Sequence, residues 1–252
     1  MRGSLVDITR RRKEEEQAQN QQKLQSVGTL AAGVAHEINN PINGIINYAQ
    51  LVADSSSPDS LPHEYSLEII NESNRVSEIV SNLLSFSRQE RPTRSPAVLE
   101  DVIHRSVGLV QALLKRDQIR LEIVVPEDLP QVMCRSQQIQ QVLINLLTNA
   151  RDSLNERYEG GDENKIIRIS AEIHERNGRK QIRTTVEDRG LGIPAEIQNR
   201  ILDPFFTTKN RAHGTGLGLA ISHGIVEEHE GSLTFETEAE SATRFHFELP
   251  VA

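Results

Sequence analysis

Apolar and small residues recur at helical spacing in the first third of the chain. They lie three or four positions apart at Val27, Ala31, Val34, Ile38, Ile42, Ile45, Ala49 and Val52. This pattern predicts one apolar face of a long helix, which the breaker-rich segment 54–62 ends and reverses. A second stripe follows at Ile69, Val76, Ile79, Leu83 and Phe86 and stops near the Arg91-Pro92 step. Because one hairpin cannot bury both stripes, the pattern favours dimerisation into a four-helix bundle.

Beyond residue 96 the pattern changes to short β-like runs that alternate with helical segments. Strands are expected over 121–125, 166–171, 183–187, 232–235 and 244–249, and helices over 99–116, 136–156 and 217–229. This order predicts a helical layer packed on a largely antiparallel or mixed sheet. The chain is therefore expected to contain a polar helical lead-in over 1–26, a helical domain over 27–92 and an α/β domain over 97–252.

Composition narrows the classes of function. The 28 Lys and Arg residues against 36 Asp and Glu residues give a net charge of −8, which argues against nucleic acid or an anionic membrane as a partner. The single cysteine, Cys134, excludes a disulfide framework and is interpreted as core packing. No apolar run approaches the roughly 18 to 20 residues that span a bilayer. These observations predict a folded chain in a reducing compartment with no membrane contact of its own.

His36 lies on the polar side of the first predicted helix. It is two residues from the nearest stripe positions, about 200° around the helix from each. Asn40 and Asn43 share its face, Glu37 is its neighbour, and Pro41 is expected to bend or loosen the adjacent turn. From these residues alone, an exposed His-Glu pair is more often an ordinary solvated face than a reactive site.

Two segments of the α/β region offer oxygen ligands. Asn145, Asn149 and Asp152 follow the i, i+4, i+7 spacing of one helix face, and their oxygens suit Mg²⁺ and phosphate. The segment 188–194, Asp-Arg-Gly-Leu-Gly-Ile-Pro, follows a predicted strand, so its carboxylate could accept the exocyclic amine of adenine while the glycines admit the ring. Each segment taken alone also fits a plain helix surface or a plain turn.

Two further segments of the α/β region contain a pair of aromatic residues and a run of glycines. Residues 203–209, Asp-Pro-Phe-Phe-Thr-Thr-Lys, place two aromatic residues, expected to be exposed, in a loop. Residues 214–219, Gly-Thr-Gly-Leu-Gly-Leu, open a helix, and the backbone N–H groups of such an entry form an anion cradle. A lone glycine loop is weak support for phosphate binding, so the combination with the other segments matters.

Taken together, these motifs resemble a known family. His36-Glu37-Ile38-Asn39-Asn40-Pro41 resembles the H-box of histidine kinases, and the four later segments resemble, in order, the N, G1, F and G2 boxes of the GHKL ATP-binding domain. The resemblance to sensor histidine kinases covers residues from roughly 30 to 250. It implies an α plus α/β fold, in which a helical hairpin forms a dimeric four-helix bundle and is followed by an α/β sandwich with a mixed sheet packed on helices.

The resemblance implies ATP-dependent autophosphorylation on His36, transfer to an aspartate of a response-regulator receiver domain, and phosphatase activity towards that regulator. His36 is the implied nucleophile, Glu37 the implied base and Asn40 the residue that orients water in dephosphorylation. Asn149 is the implied Mg²⁺ ligand. The implied ATP-binding set is Asn145, Asn149, Asp152, Asp188, Gly190, Gly192, Ile193, Lys209, Gly214, Thr215, Gly216, Leu217 and Gly218. One departure is Ala212, where the second glycine box often has another glycine.

The implied partners are a second copy of the chain and the receiver domain, without nucleic acid. A cytoplasmic location is implied, either alone or as the cytoplasmic part of a membrane-anchored sensor, and Asp7-Ile8-Thr9 resembles the exit of a PAS sensor domain. Three alternatives stay open. Gyrase-type ATPases share the ATP fold but have a water-activating glutamate at the position of Asn145, anti-sigma-factor serine kinases lack the helix pair, and a pseudokinase scaffold would bind nucleotide only to set dimer geometry.

Overall fold

A computed structural model of the chain describes residues 38, 40–87, 93–176, 178–209, 215–238 and 242–252. The chain divides into two compact units, Met1–Arg91 and Pro92–Ala252. The polar lead-in, the stripe positions before Ile38, the residues His36 and Glu37, and Gly214 lie outside the described residues. Within the part that is described, no helix is long and apolar enough to cross a membrane.

The described part of the N-terminal unit is a helical hairpin. Its first helix, α1, covers residues 40–55, and the second, α2, covers Leu61–Ser87. The Ser60 hydroxyl accepts a hydrogen bond from the backbone N–H of His63 at 3.4 Å, which caps the start of α2. The His63 Nδ1 atom lies 3.0 Å from the carbonyl oxygen of Ala53, so the same turn is tied back to α1. The predicted helix, reversal and helix are confirmed.

Small residues fill the space between the two helices. Ala49, Ala53, Ser66 and Ser73 are buried, which allows close approach of the helix backbones. The larger members of the predicted stripes, Ile45, Val52 and Ile69, are 44%, 46% and 46% exposed, which agrees with the expectation that one hairpin alone does not bury both stripes. The predicted apolar side chains of Ile79, Leu83 and Phe86 lie outside the described set.

The C-terminal unit is a sheet with helices on one face. Its helices are α3 (Leu99–Arg116), α4 (Ser136–Arg157) and α5 (Gly218–Glu228). Its strands are β1 (Ser95–Ala97), β2 (Arg120–Val124), β3 (Val132–Cys134), β4 (Ile166–Arg176), β5 (Arg179–Asp188), β6 (Ser232–Glu238) and β7 (Ala242–Pro250). Five strands form a sheet in the order β2-β4-β5-β7-β6, in which only β2 and β4 are parallel. The mixed sheet expected from the sequence is confirmed.

Alternation along the strands separates the core from the open face of the sheet. Ile182, Val186, Phe247 and Leu249 are buried, and α4 packs against β5 while α5 packs against β6 and β7. The opposite face bears charged pairs such as Arg183 with Glu248, whose closest N–O distance is 2.8 Å. This layering places α4 and α5 side by side over the sheet.

The strands β1 and β3 form a separate two-stranded antiparallel pair, which the sequence pattern did not predict. Each has three residues, too few for a recognisable alternation. Cys134 lies at the end of β3, is free and fully buried, and burial raises the pKa of its thiol. It belongs to the core, as the sequence indicated.

Candidate functional site

The polar face of α4 lies against the start of α5. Asn145 Nδ2 donates to the carbonyl oxygen of Gly218 at 3.1 Å and to the hydroxyl oxygen of Ser222 at 3.2 Å. A Cβ atom at Gly218 would lie 3.7 Å from Asn145 Cγ, so the two elements are in van der Waals contact there. The N-terminus of α5, where free backbone N–H groups favour anions, therefore lies beside this helix face.

One turn further along α4, a lysine from the loop before α5 meets the same face. Lys209 Nζ lies 2.6 Å from Asp152 Oδ2 and 3.4 Å from Asn149 Oδ1. Arg151 Nη1 approaches the other carboxylate oxygen of Asp152 at 3.3 Å. The oxygens of Asn149 and Asp152 thus already face a positively charged group. This part of the helix face can therefore accept a cation.

Asp188 ends β5 and is only 4% exposed. Burial is the largest influence on its carboxyl group and raises the pKa to about 6, although hydrogen bonds from the Gly190 backbone and the Ser153 side chain lower it. The Gly190 N–H donates to Asp188 Oδ1 at 2.8 Å. Above pH 7 the side chain is therefore mainly a buried carboxylate, a strong acceptor for an amine.

Two residues of α4 that were not singled out from the sequence hold the loop after Asp188. The Ser153 hydroxyl accepts a hydrogen bond from the Leu191 N–H at 3.2 Å. Arg157 Nη1 donates to the Gly190 carbonyl oxygen at 2.7 Å. Ser153 and Arg157 lie four and eight residues after Asn149, so helical spacing would have been the signal for them.

Glycine is required at Gly190 because a Cβ atom there would lie 1.9 Å from Ser153 Oγ. Gly192 has a φ of +74°, a conformation that other residues rarely adopt. Next in the loop, the Ile193 N–H donates to Thr237 Oγ1 on β6 at 2.9 Å. The three predicted loop positions are therefore held in place by neighbouring elements, although the sequence gave no signal for Thr237.

The loop that leads into α5 is closed at its base. The Phe205 N–H donates to the Gly216 carbonyl oxygen at 2.9 Å, and Gly216 has a φ of +66°. A Cβ atom at Gly216 would lie 2.4 Å from the Phe205 carbonyl carbon. Just beyond this pair, the Leu217 N–H donates to Thr215 Oγ1 at 3.3 Å. Residues 210–214, including Gly214, lie outside the described residues.

The two aromatic residues of the loop differ in environment. Phe205 is 61% exposed and has a φ of +66°. Phe206 is half-buried, with the Arg200 guanidinium 4.5 Å from its ring centroid. The prediction that both aromatics are exposed is therefore wrong for Phe206, because a cation–π contact covers its ring.

The structure brings the predicted nucleotide residues of three segments onto the polar face of α4 or directly beside it. In the N-terminal unit, Asn40 and Asn43 are both exposed on α1, on the polar face where the sequence placed them. Among the described residues, no cluster of three or more His, Cys, Asp or Glu side chains could hold a metal ion by itself. A cation on α4 would therefore need oxygens from a second source, such as phosphate groups.

Comparison with known families agrees with this arrangement. The HisKA model, the His Kinase A (phospho-acceptor) domain, matches residues 26–92. The HATPase_c model, the Histidine kinase-, DNA gyrase B-, and HSP90-like ATPase, matches residues 134–252. The chain belongs to the sensor histidine kinases of two-component systems. The match identifies the C-terminal unit as an ATP-binding domain.

Similar proteins include two curated kinases. Sporulation kinase E of Bacillus subtilis (strain 168) is 31% identical over 97% of this chain and 31% of its own length. Sensor kinase CckA of Brucella abortus (strain 2308) is 36% identical over 98% of this chain and 26% of its own length. This histidine kinase chain thus spans less than a third of either relative.

Among solved structures, histidine kinase ThkA in complex with response regulator protein TrrA is 29% identical, with a TM-score of 0.63. The alignment covers 95% of this chain and 66% of that one. Every residue predicted to bind the nucleotide lies within the HATPase_c match, and His36, Glu37 and Asn40 lie within the HisKA match.

Proposed function

We propose that this histidine kinase chain uses Mg-ATP to phosphorylate its own His36 and then transfers the phosphoryl group to an aspartate of a response regulator. The observation that supports this most directly is the convergence of Asp188, Lys209 and the N-terminus of α5 on one face of α4. The same chain contains His36 within its match to the phospho-acceptor domain. An acceptor and a phosphate-donor site therefore occur in one polypeptide.

In the proposed site, Asp188 reads the base and α5 binds the phosphates. The buried Asp188 carboxylate accepts the exocyclic amine of adenine, and the Gly190 and Gly192 turns leave room for the ring. The backbone N–H groups at Thr215–Gly218 and the α5 dipole favour the triphosphate. Lys209 adds a positive charge to the phosphate side.

Asn149 is the proposed magnesium ligand, with Asn145 and Asp152 beside it. The approach of the Lys209 ammonium group to Asn149 Oδ1 and Asp152 Oδ2 indicates that this face accepts a cation. When bound, Mg²⁺ neutralises charge on the triphosphate. The protein's own contribution is to orient the triphosphate along α4 and to hold the adenine end fixed.

The acceptor chemistry belongs to the H-box. A neutral imidazole nitrogen of His36 attacks the γ-phosphorus, an N–P bond forms, and the bond from the γ-phosphorus to the bridging oxygen of ADP breaks. Glu37 accepts the proton that the imidazole releases. In the second transfer, an aspartate oxygen of the regulator forms a P–O bond as the N–P bond breaks. Asn40, exposed on α1, orients water in the separate phosphatase reaction, in which the aspartyl P–O bond of the regulator breaks and inorganic phosphate is released.

Hydrolysis without an acceptor is a weaker candidate. The position where gyrase-type enzymes have a glutamate is Asn145, and its amide nitrogen donates to α5. An amide is not a general base, so water would not be activated there. The solved complex of the relative ThkA with a response regulator supports a receiver domain as the acceptor, and the phospho-acceptor domain supports a homodimer.

The test is incubation of the purified chain with γ-labelled Mg-ATP beside the His36→Gln variant. We expect acid-labile, alkali-stable label on the unaltered chain only, followed by loss of that label when a receiver domain is added. ATP binding without label would contradict the kinase reaction and leave a nucleotide-binding scaffold. Label that persists in His36→Gln would contradict His36 as the acceptor.

A further inference from the structure

The segment that enters the C-terminal unit is attached to the end of α5. Arg94 immediately precedes β1, and its Nη1 atom lies 2.7 Å from Glu230 Oε1. Its other terminal nitrogen donates to the backbone carbonyl oxygen of Glu228. A guanidinium at this position also faces the negative end of the helix dipole. One side chain thus joins the start of the unit to the C-terminus of α5.

A second arginine strengthens the same contact from the neighbouring strand. Arg135 follows β3, the partner of β1, and its Nη1 atom lies 3.1 Å from Glu228 Oε2. Its backbone N–H donates to His229 Nε2 at 3.0 Å, while His229 Nδ1 lies 2.7 Å from the Ile225 carbonyl oxygen. His229 is fully buried. We call Arg94, Arg135, Glu228, His229 and Glu230 the α5 clasp.

The opposite end of α5 forms the proposed phosphate site. The helix is only 11 residues long, about 16 Å at 1.5 Å per residue, and it packs along α4. Gly218 and Ser222 contact Asn145 at the first end, and Arg94 contacts the second. One short, rigid helix therefore connects Arg94, at the start of the C-terminal unit, to the proposed phosphate site.

We propose that Arg94 is a positioning residue for phosphoryl transfer, because it fixes the first residues of the C-terminal unit to α5, the helix whose other end forms the proposed phosphate site. This inference rests on the proposed kinase function. It predicts that loss of Arg94 lowers the rate of transfer to His36 while nucleotide binding stays intact.

Stability alone does not explain this arrangement. The side chains of Arg94 and Glu230 are 28% and 68% exposed, and exposed ion pairs of this kind contribute little to the free energy of unfolding. Loss of the pair should therefore leave the unit folded. Loss of the pair should have a larger effect on the transfer rate than on stability, because transfer depends on the alignment of the γ-phosphate with His36.

The experiment compares the unaltered chain with Arg94→Gln and Arg168→Gln. Arg168 is a matched control, since it forms a similar surface pair with Glu122 at 2.8 Å near the edge of the sheet and makes no contact with α5 that the structure describes. Three quantities are measured: the Kd of a fluorescent ATP analogue, the initial rate of label incorporation into His36 at saturating ATP, and hydrogen exchange over residues 93–98.

For Arg94→Gln we expect an unchanged Kd, a transfer rate lower by about 10-fold and faster exchange in residues 93–98. Arg168→Gln should match the unaltered chain in all three. An unchanged transfer rate, or a Kd that weakens in proportion to the rate, would overturn the positioning role. Absence of label on the unaltered chain would instead overturn the proposed function, and this inference with it.

Discussion

Asp188 is subject to two opposing requirements. Burial favours its neutral form and raises its pKa to about 6, whereas recognition of an amine requires the ionised form. The bonds from Gly190 and Ser153 offset only part of the cost of burying the charge. Asp188, the proposed adenine-binding residue, is therefore expected to reduce the stability of the empty domain at neutral pH.

Asp188→Asn should separate these two effects. A carboxyl group whose pKa rises from 3.8 to about 6 on folding favours the folded state below pH 3.8, and that contribution is lost as the pH rises through 6. We expect the variant to be more stable than the unaltered chain at pH 8, by at most roughly 3 kcal/mol, and to lose this advantage towards pH 4. Denaturant unfolding of both chains between pH 4 and pH 8 measures this difference in stability.

The same variant should bind ATP about 10- to 100-fold more weakly, because a hydrogen bond to a charged acceptor is replaced by a neutral one. Displacement of a fluorescent nucleotide gives the affinity. Asp101→Asn, a change at an exposed carboxylate of α3, is the control and should alter neither quantity. A stability gain that is equal at pH 4 and pH 8 would contradict the assigned role of burial.

Lys209 is the positive charge that lies nearest Asn149 and Asp152 among the described contacts. Lys209→Met removes that charge and leaves Asp152 facing the phosphates, so ATP affinity should fall about 10-fold, as expected for a lost charged contact. Adenosine affinity should not change, since the proposed adenine contact is at Asp188. Titration of both ligands measures this, and Lys180→Met, a change at an exposed lysine of β5, is the control. Equal losses for ATP and adenosine would contradict a phosphate-side role.

At the scale of elements, α4 organises the proposed nucleotide site, and the helix face it offers was largely predictable. The spacing of Asn145, Asn149 and Asp152 defines one helix face, and the structure places partners along it. The helix bounds also followed from the sequence, because the apolar periodicity of α3 and α4 is regular. Local spacing thus predicted which side chains share a face.

Contacts between distant segments were not predictable in this way. Lys209 and Asp152 are 57 residues apart, and Arg94 and Glu230 are 136 residues apart, so no local spacing relates them. The residues buried between the two hairpin helices were also not predicted, because Ala53, Ser66 and Ser73 are weak hydrophobic signals. Their burial follows from size rather than hydrophobicity. Such features depend on the assembled fold.

The base of the loop before α5 allows a test with a matched pair of substitutions. Gly216→Ala would place a methyl group 2.4 Å from the Phe205 carbonyl carbon, at a φ of +66°. We expect the loop and the α5 entry to shift, so that ATP affinity falls by about 10-fold or more at a strain of roughly 1 to 3 kcal/mol. Nucleotide titration and thermal unfolding measure the two effects.

Gly224→Ala is the control, because Gly224 lies within α5 itself and nothing lies within 4 Å of the added methyl group. It should retain ATP affinity and gain about 0.5 to 1 kcal/mol of stability, since alanine favours a helix over glycine. If Gly216→Ala binds ATP as well as Gly224→Ala does, the closed loop base is not required for the phosphate site.

At the scale of the whole molecule, the hairpin leaves apolar side chains uncovered. Tyr48 is 73% exposed and Leu51 61%, and Ile45, Val52, Leu61, Tyr65, Leu67 and Ile69 are also exposed. One hairpin has only two helices, so these side chains have no core of their own to enter. A second hairpin would cover them and complete a four-helix bundle. This exposure is the physical basis for proposing a homodimer.

Ile45→Glu tests that assembly. A charge placed among the apolar side chains of a buried interface costs several kcal/mol, so the variant should sediment as a monomer at concentrations where the unaltered chain is a dimer. Leu109→Glu, at a 63% exposed position of α3, is the control and should remain dimeric. ATP affinity should be the same in all three chains, because the nucleotide site lies within one C-terminal unit. If Ile45→Glu stays dimeric, the interface lies on another surface, and the exposed hairpin residues would then need a different partner.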